Sequence, residues 1–190
     1  MNKYILIFDI KSDWHIGSGE EGGAYADALA LKNHLQLPYL PGKSIKGLLR
    51  QAFDTAINNA WFADSNVLSD LFGYENEGEY SQGCIQISSA QLSESETDYF
   101  LENKGAIKHL FRILQSTAID KKSGVAKKGA LRSIEVVVPM KLRAELTVNG
   151  DFPEFQQWLE GALTLVTECG AKRHRGLGAV SVSCQVKGDS

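Results

Sequence analysis

Met140-Lys141-Leu142-Arg143-Ala144-Glu145-Leu146-Thr147-Val148 alternates apolar and polar side chains without a break. That two-residue period predicts a strand with one face in a core and the other in water. Beyond it, Asp151 with Glu154 three residues later has the spacing of a capping box. The box predicts a helix carrying Phe155, Trp158, Leu159, Ala162, Leu163 and Val166 on one face, closed by Gly170 as its terminal glycine. A second alternating run follows, with Val180, Val182, Cys184 and Val186 set against Ser181, Ser183 and Gln185.

Working back toward the start, Ile85 and Ile87 alternate with Gln86 and Ser88 as in a half-exposed strand. Tyr4 to Lys11 is β-branched, aromatic and apolar on both faces, which predicts a central buried strand. From Ile45, the positions Leu48, Leu49, Ala52, Phe53, Ala56 and Ile57 recur at three-and-four spacing, so a helix starts just after Pro41-Gly42. The order is strand, helix, strands, helix, strand. This predicts an α+β fold, a ferredoxin-like (RRM-like) βαββαβ core with helices on one face and an open face able to meet RNA.

Residues 1–190 read as one domain with two insertions. The first, about 60–83, carries Trp61, Phe62, Leu71, Phe72 and Tyr74 among polar residues and reads as a partly helical lid. The second, about 117–137, has a lysine and glycine-rich middle between apolar ends, the pattern of a protruding thumb hairpin. Asn103 to Leu114 reads as a helical connection.

Hydrophobic content of 43% is enough for one substantial core. The 20 basic and 23 acidic residues leave a net charge of -3, so attraction to nucleic acid must come from local patches. The acidic runs Glu75 to Glu79 and Glu94 to Asp98 read as solvated loops. Cys84, Cys169 and Cys184 are odd in number and far apart, without C-x-x-C, which excludes a disulfide framework and a sulfur-rich zinc site and fits a reduced cytoplasm. The opening apolar run is interrupted by Asp9, too early for a signal segment, and no stretch reaches membrane-spanning length.

Three stretches pair glycine, which permits close backbone approach, with cations that attract phosphate. They are Leu37 to Gly47, Ile119 to Leu131 and Gly170 to Gly178. In the first, Gly42, Lys43, Ser44, Lys46 and Arg50 surround a helix start whose free N–H groups can hold a phosphate, although solvated lysines at a helix start would look the same. It is not a Walker loop, because Leu37 stands where that motif needs glycine. The second offers Lys121, Lys122, Val125, Ala126, Lys127 and Lys128, and the third Lys172, Arg173, His174, Arg175, Gly176 and Gly178. A charge run by itself is usually a solvated face, and cations after a helix also complement its dipole. Gly17-Ser18-Gly19-Glu20-Glu21-Gly22 matches the dinucleotide fingerprint only formally, since Glu20 and Glu21 would repel a pyrophosphate.

Together the three stretches, from about Trp14 to about Val182, resemble the RAMP-type backbone subunits of type III CRISPR RNA-guided effector complexes. Pro41-Gly42-Lys43-Ser44-Ile45-Lys46-Gly47 is similar to the family's P-G-x-S-x-K-G segment, which contacts guide RNA, with Lys43 in place of a small residue. Ile119-Asp120-Lys121-Lys122-Ser123-Gly124-Val125-Ala126 resembles the family's thumb, with Ser123 where threonine is commoner. That likeness implies that Val125 and Ala126 interrupt base stacking while the lysines meet phosphate. Lys172 to Gly178 resembles the family's glycine-rich loop, and His15-Ile16-Gly17 the opening of its catalytic loop, where His15 reads as structural or RNA-contacting.

The resemblance also implies chemistry. Tyr25-Ala26-Asp27-Ala28-Leu29-Ala30-Leu31-Lys32 matches the placement of a loop aspartate in related subunits, although a later aspartate of that loop is replaced by Asn33. Asp27 would hold Mg²⁺ or another divalent cation, or align a target RNA 2′-hydroxyl against the adjacent phosphate. The bland alternative is a turn-capping aspartate. Implied partners are guide RNA (crRNA), single-stranded target RNA and other complex subunits, including neighbouring RAMP subunits, in antiviral defence without a membrane. Two other roles remain open: a non-catalytic backbone or capping subunit, and an endoribonuclease processing precursor guide RNA, for which only His15 and His174 could serve.

Overall fold

The computed structural model describes residues 2–23, 25–61, 67–76, 79–119, 124–172 and 175–187, and of 75–76, 79, 118–119 and 126–130 the backbone. Its main sheet has four antiparallel strands: β1 (Asn2–Ile10), β4 (Ile85–Ile87), β7 (Met140–Val148) and β8 (Val180–Val186), in the order β4-β7-β1-β8. This is the ferredoxin-like arrangement. β1 lies between two partners, pairing Leu6 with both Ala144 and Cys184.

Helices α1 (Gly42–Asn58) and α4 (Phe155–Leu163) cover one face. Tyr4, Leu6, Phe8 and Ile10 of β1 and Leu142, Ala144, Leu146 and Val148 of β7 point into that layer and are buried. Phe155 links it, with its ring 5.4 Å from Tyr4 and 6.3 Å from Phe53 of α1. The other face is open. It presents Ile5, Ile7, Arg143, Glu145 and Gln185 along a shallow surface, with ion pairs from Asp9 to Lys11 and from Glu145 to Lys187. This face lacks the aromatic platform on which RRM sheets stack bases.

The segment from 60 to 83 contains α2 (Val67–Phe72), which brings Phe72 to 5.4 Å from Phe53, and a hairpin of β2 (Gly73–Asn76) with β3 (Glu79–Gln82). Of the acidic run, Glu75 and Glu79 lie in these two strands, opposite Tyr80 and Asn76. Glu94 to Asp98 is no loop: it opens α3 (Glu94–Glu102). There the Ser93 hydroxyl accepts from the Glu96 N–H, and the Glu96 carboxylate accepts from the Ser93 N–H at 2.9 Å. Acidic groups in a first turn also complement the helix dipole. The helical connection expected to Leu114 stops earlier, as a 3-10 helix over Lys104–Leu110. Phe111 then begins β5 (Phe111–Ile119), which pairs with β6 (Ala126–Val137). The thumb hairpin thus starts at 111, where half-buried Phe111 and Ile113 alternate with exposed Arg112 and Leu114.

Two expectations around α4 are corrected. Glu154 flanks the helix without any capping hydrogen bond from its side chain, because Phe152 to Pro153 forms a turn closed by the Phe155 N–H on the Phe152 carbonyl at 3.0 Å. The helix also ends at Leu163, well before Gly170. Val166 and Cys169 are still buried, Val166 at the end of a turn closed by its N–H on the Leu163 carbonyl and Cys169 beyond it. Cys169 and Gly178 pair through a 2.8 Å bond, and Val180 donates to Thr167, so 167–169 prolongs the β8 pairing.

Candidate nucleic-acid interface

The loop from Ser12 to Leu40 has little regular structure and depends on its neighbours. Trp14 exchanges backbone bonds with Val137, and Ala28 forms a parallel bridge with Ile134, so the loop lies along the edge of β6. Asp27 sits on this edge. Its N–H donates to the Ser133 carbonyl at 2.9 Å, and its Oδ2 accepts the Ser133 N–H at 2.6 Å. The residue is exposed. Among the described residues no group of three or more His, Cys, Asp or Glu side chains is arranged to hold a metal ion. Asp27 offers a hard oxygen donor, so a divalent cation fits there only with phosphate oxygens and water completing its shell.

Glu135 lies two residues along the same strand and is buried. Its Oε2 accepts the Ala30 N–H at 3.0 Å and its Oε1 the Lys32 ammonium at 3.1 Å. Lys32 also stands 4.2 Å from the centre of the Phe111 ring. The Tyr25 hydroxyl meets the same carboxylate, and desolvation together with that negative charge pushes its pKa up. His15 is buried, with Nδ1 2.7 Å from the Glu135 carbonyl. An imidazole held there as a donor to backbone is a structural group. Tyr25, Lys32, Phe111 and Glu135 border a cavity of about 710 Å³ beside the 3-10 helix, rimmed by His34, Lys104 and Lys108. Reading the chain alone gave no weight to Glu135, since a glutamate in a strand of alternating pattern is ordinarily solvated.

The glycine-rich loop packs onto both neighbours. Ala171 donates to the His15 carbonyl at 2.7 Å, and Leu177 is buried against Ile134 and Val136 at the thumb base. Gly178, at φ +76, lies so close to the Cys169 carbonyl that a Cβ would come within 1.9 Å of it. No side chain fits. A cleft of about 350 Å³ joins Gly17, Ser44, Gly47, Gln51, Gly170 and Ala171, so the start of α1, the loop opening and the glycine loop share one surface. Lys43 and Arg50 are exposed along the flank of that helix row. Lys46 turns instead toward the sheet edge, 3.5 Å from the Ile85 carbonyl. Gly42 serves packing: a Cβ there would meet the Ile87 carbonyl at 2.5 Å. The helix dipole expected to act on Lys172 and Arg175 does not reach them, because α4 ends at Leu163.

Lys121, Lys122, Arg173 and His174 lie outside the described residues, as do the side chains of Ala126, Lys127 and Lys128. Val125 is exposed near the thumb tip, as is Leu131 farther down β6. The hairpin register slips between Thr117 and Ile119, close to that tip.

The fold recurs in solved assemblies. One chain of a Type III-B Cmr-beta complex bound to cognate target RNA superposes with a TM-score of 0.74 at 12% identity, covering 96% of each chain. A chain of the apo Type III-B Cmr-beta complex gives 0.69 at 12% identity, again over 96% of both. A chain of a Type IV-B CRISPR complex gives 0.66 at 12% identity, over 99% of this chain and 93% of that one. No curated protein matches the sequence. A ferredoxin-like sheet, a loop laid along a thumb hairpin and a glycine-rich turn locked under both are joined by a match to the RAMP superfamily over residues 7–181, and the chain belongs to that superfamily.

Proposed function

We propose that this protein is a guide-RNA-binding backbone subunit of a type III CRISPR interference complex, and that it cleaves bound target RNA through Asp27. The observation that carries the reading is convergence. The start of α1, the glycine loop and the base of the thumb adjoin one another through the Ser44 to Ala171 cleft and the Leu177 contact, and Asp27 is exposed at the same thumb base. Two of the neighbouring folds come from Type III-B complexes, one of them bound to cognate target RNA. Contacts of this type read backbone and shape, so sequence selection would belong to base pairing with the guide.

In the reaction, a strand running past Ser133 places a phosphate and its neighbouring 2′-hydroxyl beside Asp27. The carboxylate aligns that hydroxyl and takes its proton as the 2′-oxygen attacks phosphorus, the P–O5′ bond breaks to leave a 2′,3′-cyclic phosphate, the departing 5′-oxygen takes a proton from water, and the Ser133 N–H keeps Oδ2 in place. A bound Mg²⁺ would supply stabilisation of the charge that develops on the phosphate oxygens. Asp27→Ala is expected to abolish cleavage beside the subunit while guide binding persists, as read on labelled target RNA with the assembled complex. Undiminished cutting removes the catalytic role.

One observation favours a second reading, a backbone subunit without chemistry. The bond from Ser133 to Oδ2 is also how an aspartate pins a loop to a strand edge. The same Asp27→Ala assay separates the two. A role in precursor processing gains nothing from His15, which is buried and bonded to backbone. Copurification followed by sequencing of bound RNA is expected to recover short CRISPR-derived guides.

A further inference from the structure

Among the described residues, Glu135 is the one buried carboxylate. It stands between Ile134 and Val136 in a strand where a β-branched apolar residue would pack at no electrostatic cost. Burying a carboxylate is expensive unless it is paired, and a buried ion pair is seldom more stabilising than apolar side chains of the same volume. Fold stability therefore gives no reason for this residue, but the destination of its bonds does. Its N–H donates to the Ala28 carbonyl at 2.9 Å, its Oε2 accepts from Ala30, its Oε1 accepts from Lys32, and the Tyr25 hydroxyl meets the same group. Each of these lands on the segment Tyr25 to Lys32, which carries Asp27 and is otherwise held by isolated bridges and by backbone bonds from Asp27 to Ser133, Leu29 to Glu20 and Leu31 to Ile16. Its carbonyl takes the His15 imidazole at 2.7 Å, which ties down the beginning of the same loop.

We propose that Glu135 is the positioning residue for Asp27, setting where the reactive carboxylate stands relative to Ser133 while itself touching no RNA. The proposal rests on the reading of Asp27 as the cleaving carboxylate. A group displaced by about 1 Å from its working place can lose on the order of 10²-fold in rate. The effect should appear in the chemical step and not in binding, because the phosphate-facing cleft at Ser44, Gly47 and Gly170 is built from other residues.

The test uses the full chain assembled with its guide RNA, comparing wild type, Asp27→Ala, Glu135→Gln and the double variant Glu135→Met with Lys32→Met. Measured for each are assembly, target dissociation constant and single-turnover cleavage at saturating target. Glu135→Gln keeps the shape but cannot accept from both Ala30 and Lys32. The double variant replaces the ion pair with apolar volume, so its melting temperature should stay near wild type. Both are expected to slow cleavage by at least about ten-fold, with target affinity changed less than about two-fold. Cleavage at the wild-type rate in either variant, while Asp27→Ala is dead, overturns the positioning role alone. Loss of assembly or of target affinity in step with rate shows that Glu135 merely holds the fold, and overturns it as well. If Asp27→Ala itself still cuts, the catalytic reading fails and this inference falls with it.

Discussion

Gly178 and Gly176 separate two reasons for glycine at the same backbone angle. Both have positive φ, +76 and +77, but a Cβ on Gly178 would overlap the Cys169 carbonyl while one on Gly176 meets nothing within 4 Å. Gly176→Ala should therefore cost only the left-handed strain, about 1 kcal/mol. Gly178→Ala must also part the Cys169 pairing, and is expected to cost about 2–4 kcal/mol. For a chain of this size the larger loss lowers Tm by on the order of 10 °C. Thermal melts of the two variants check this, and equal melting temperatures would show that close approach is not what selects Gly178. Ala171, Leu177 and Gly178 thus fix the path of the glycine loop between His15 and Ile134.

At the scale of elements, the thumb is a two-stranded ribbon whose root is held and whose far part is not. Trp14, Leu177 and Ala28 pack or pair with Ile134 to Val137, whereas beyond Ser133 the strands pair with each other. A lone ribbon in water is only marginally stable, and this one exposes Leu114, Leu131 and Val125. Replacing Lys121, Lys122, Lys127 and Lys128 with alanine is expected to weaken guide binding and to flatten its salt dependence, by about 0.7 in log–log slope for each lost phosphate contact. Affinity titrations between about 50 and 200 mM salt measure that slope, and an unchanged slope would mean that these cations do not meet phosphate. Capping shows the limits of local pattern at this scale. Asp151 and Glu154 have the box spacing, yet Phe155 bonds back to Phe152; Ser93 and Glu96 close the real box, in a stretch that reads as an acidic loop.

For the whole molecule, the two carboxylates of the open sheet face, Asp9 and Glu145, are each paired with a lysine. Lys11 donates to Asp9 and holds its carboxyl below the usual range, with Lys141 adding, and Lys187 does the same for Glu145. Because both folded pKa values are depressed, the unfolded chain binds more protons across the ordinary carboxylate range near about 4. Stability from these pairs is therefore fully present above that range and is lost as pH falls through the folded values. Asp9→Asn with Glu145→Gln should flatten the acid limb of denaturant midpoints between about pH 3 and pH 7, and high salt should shrink the wild-type slope toward that of the variant. A variant with an unaltered acid limb would remove these pairs as its source.

The alternation of Met140 to Val148, the three-and-four spacing after Pro41 and the hydrophobic run of β1 were sufficient for the ferredoxin-like order, because each pattern depends on spacing within one element. The motif wording was likewise sufficient to single out Asp27 and the three cationic stretches as candidates. What the chain alone could not reveal was Glu135, since an alternating strand gives no sign of which residue will be covered by a loop from more than a hundred positions away. Nor could it show α4 stopping at Leu163, where pairing of Cys169 with Gly178 competes with further helix. Those outcomes belong to tertiary structure, because burial and long-range pairing arise only when distant segments share the same space.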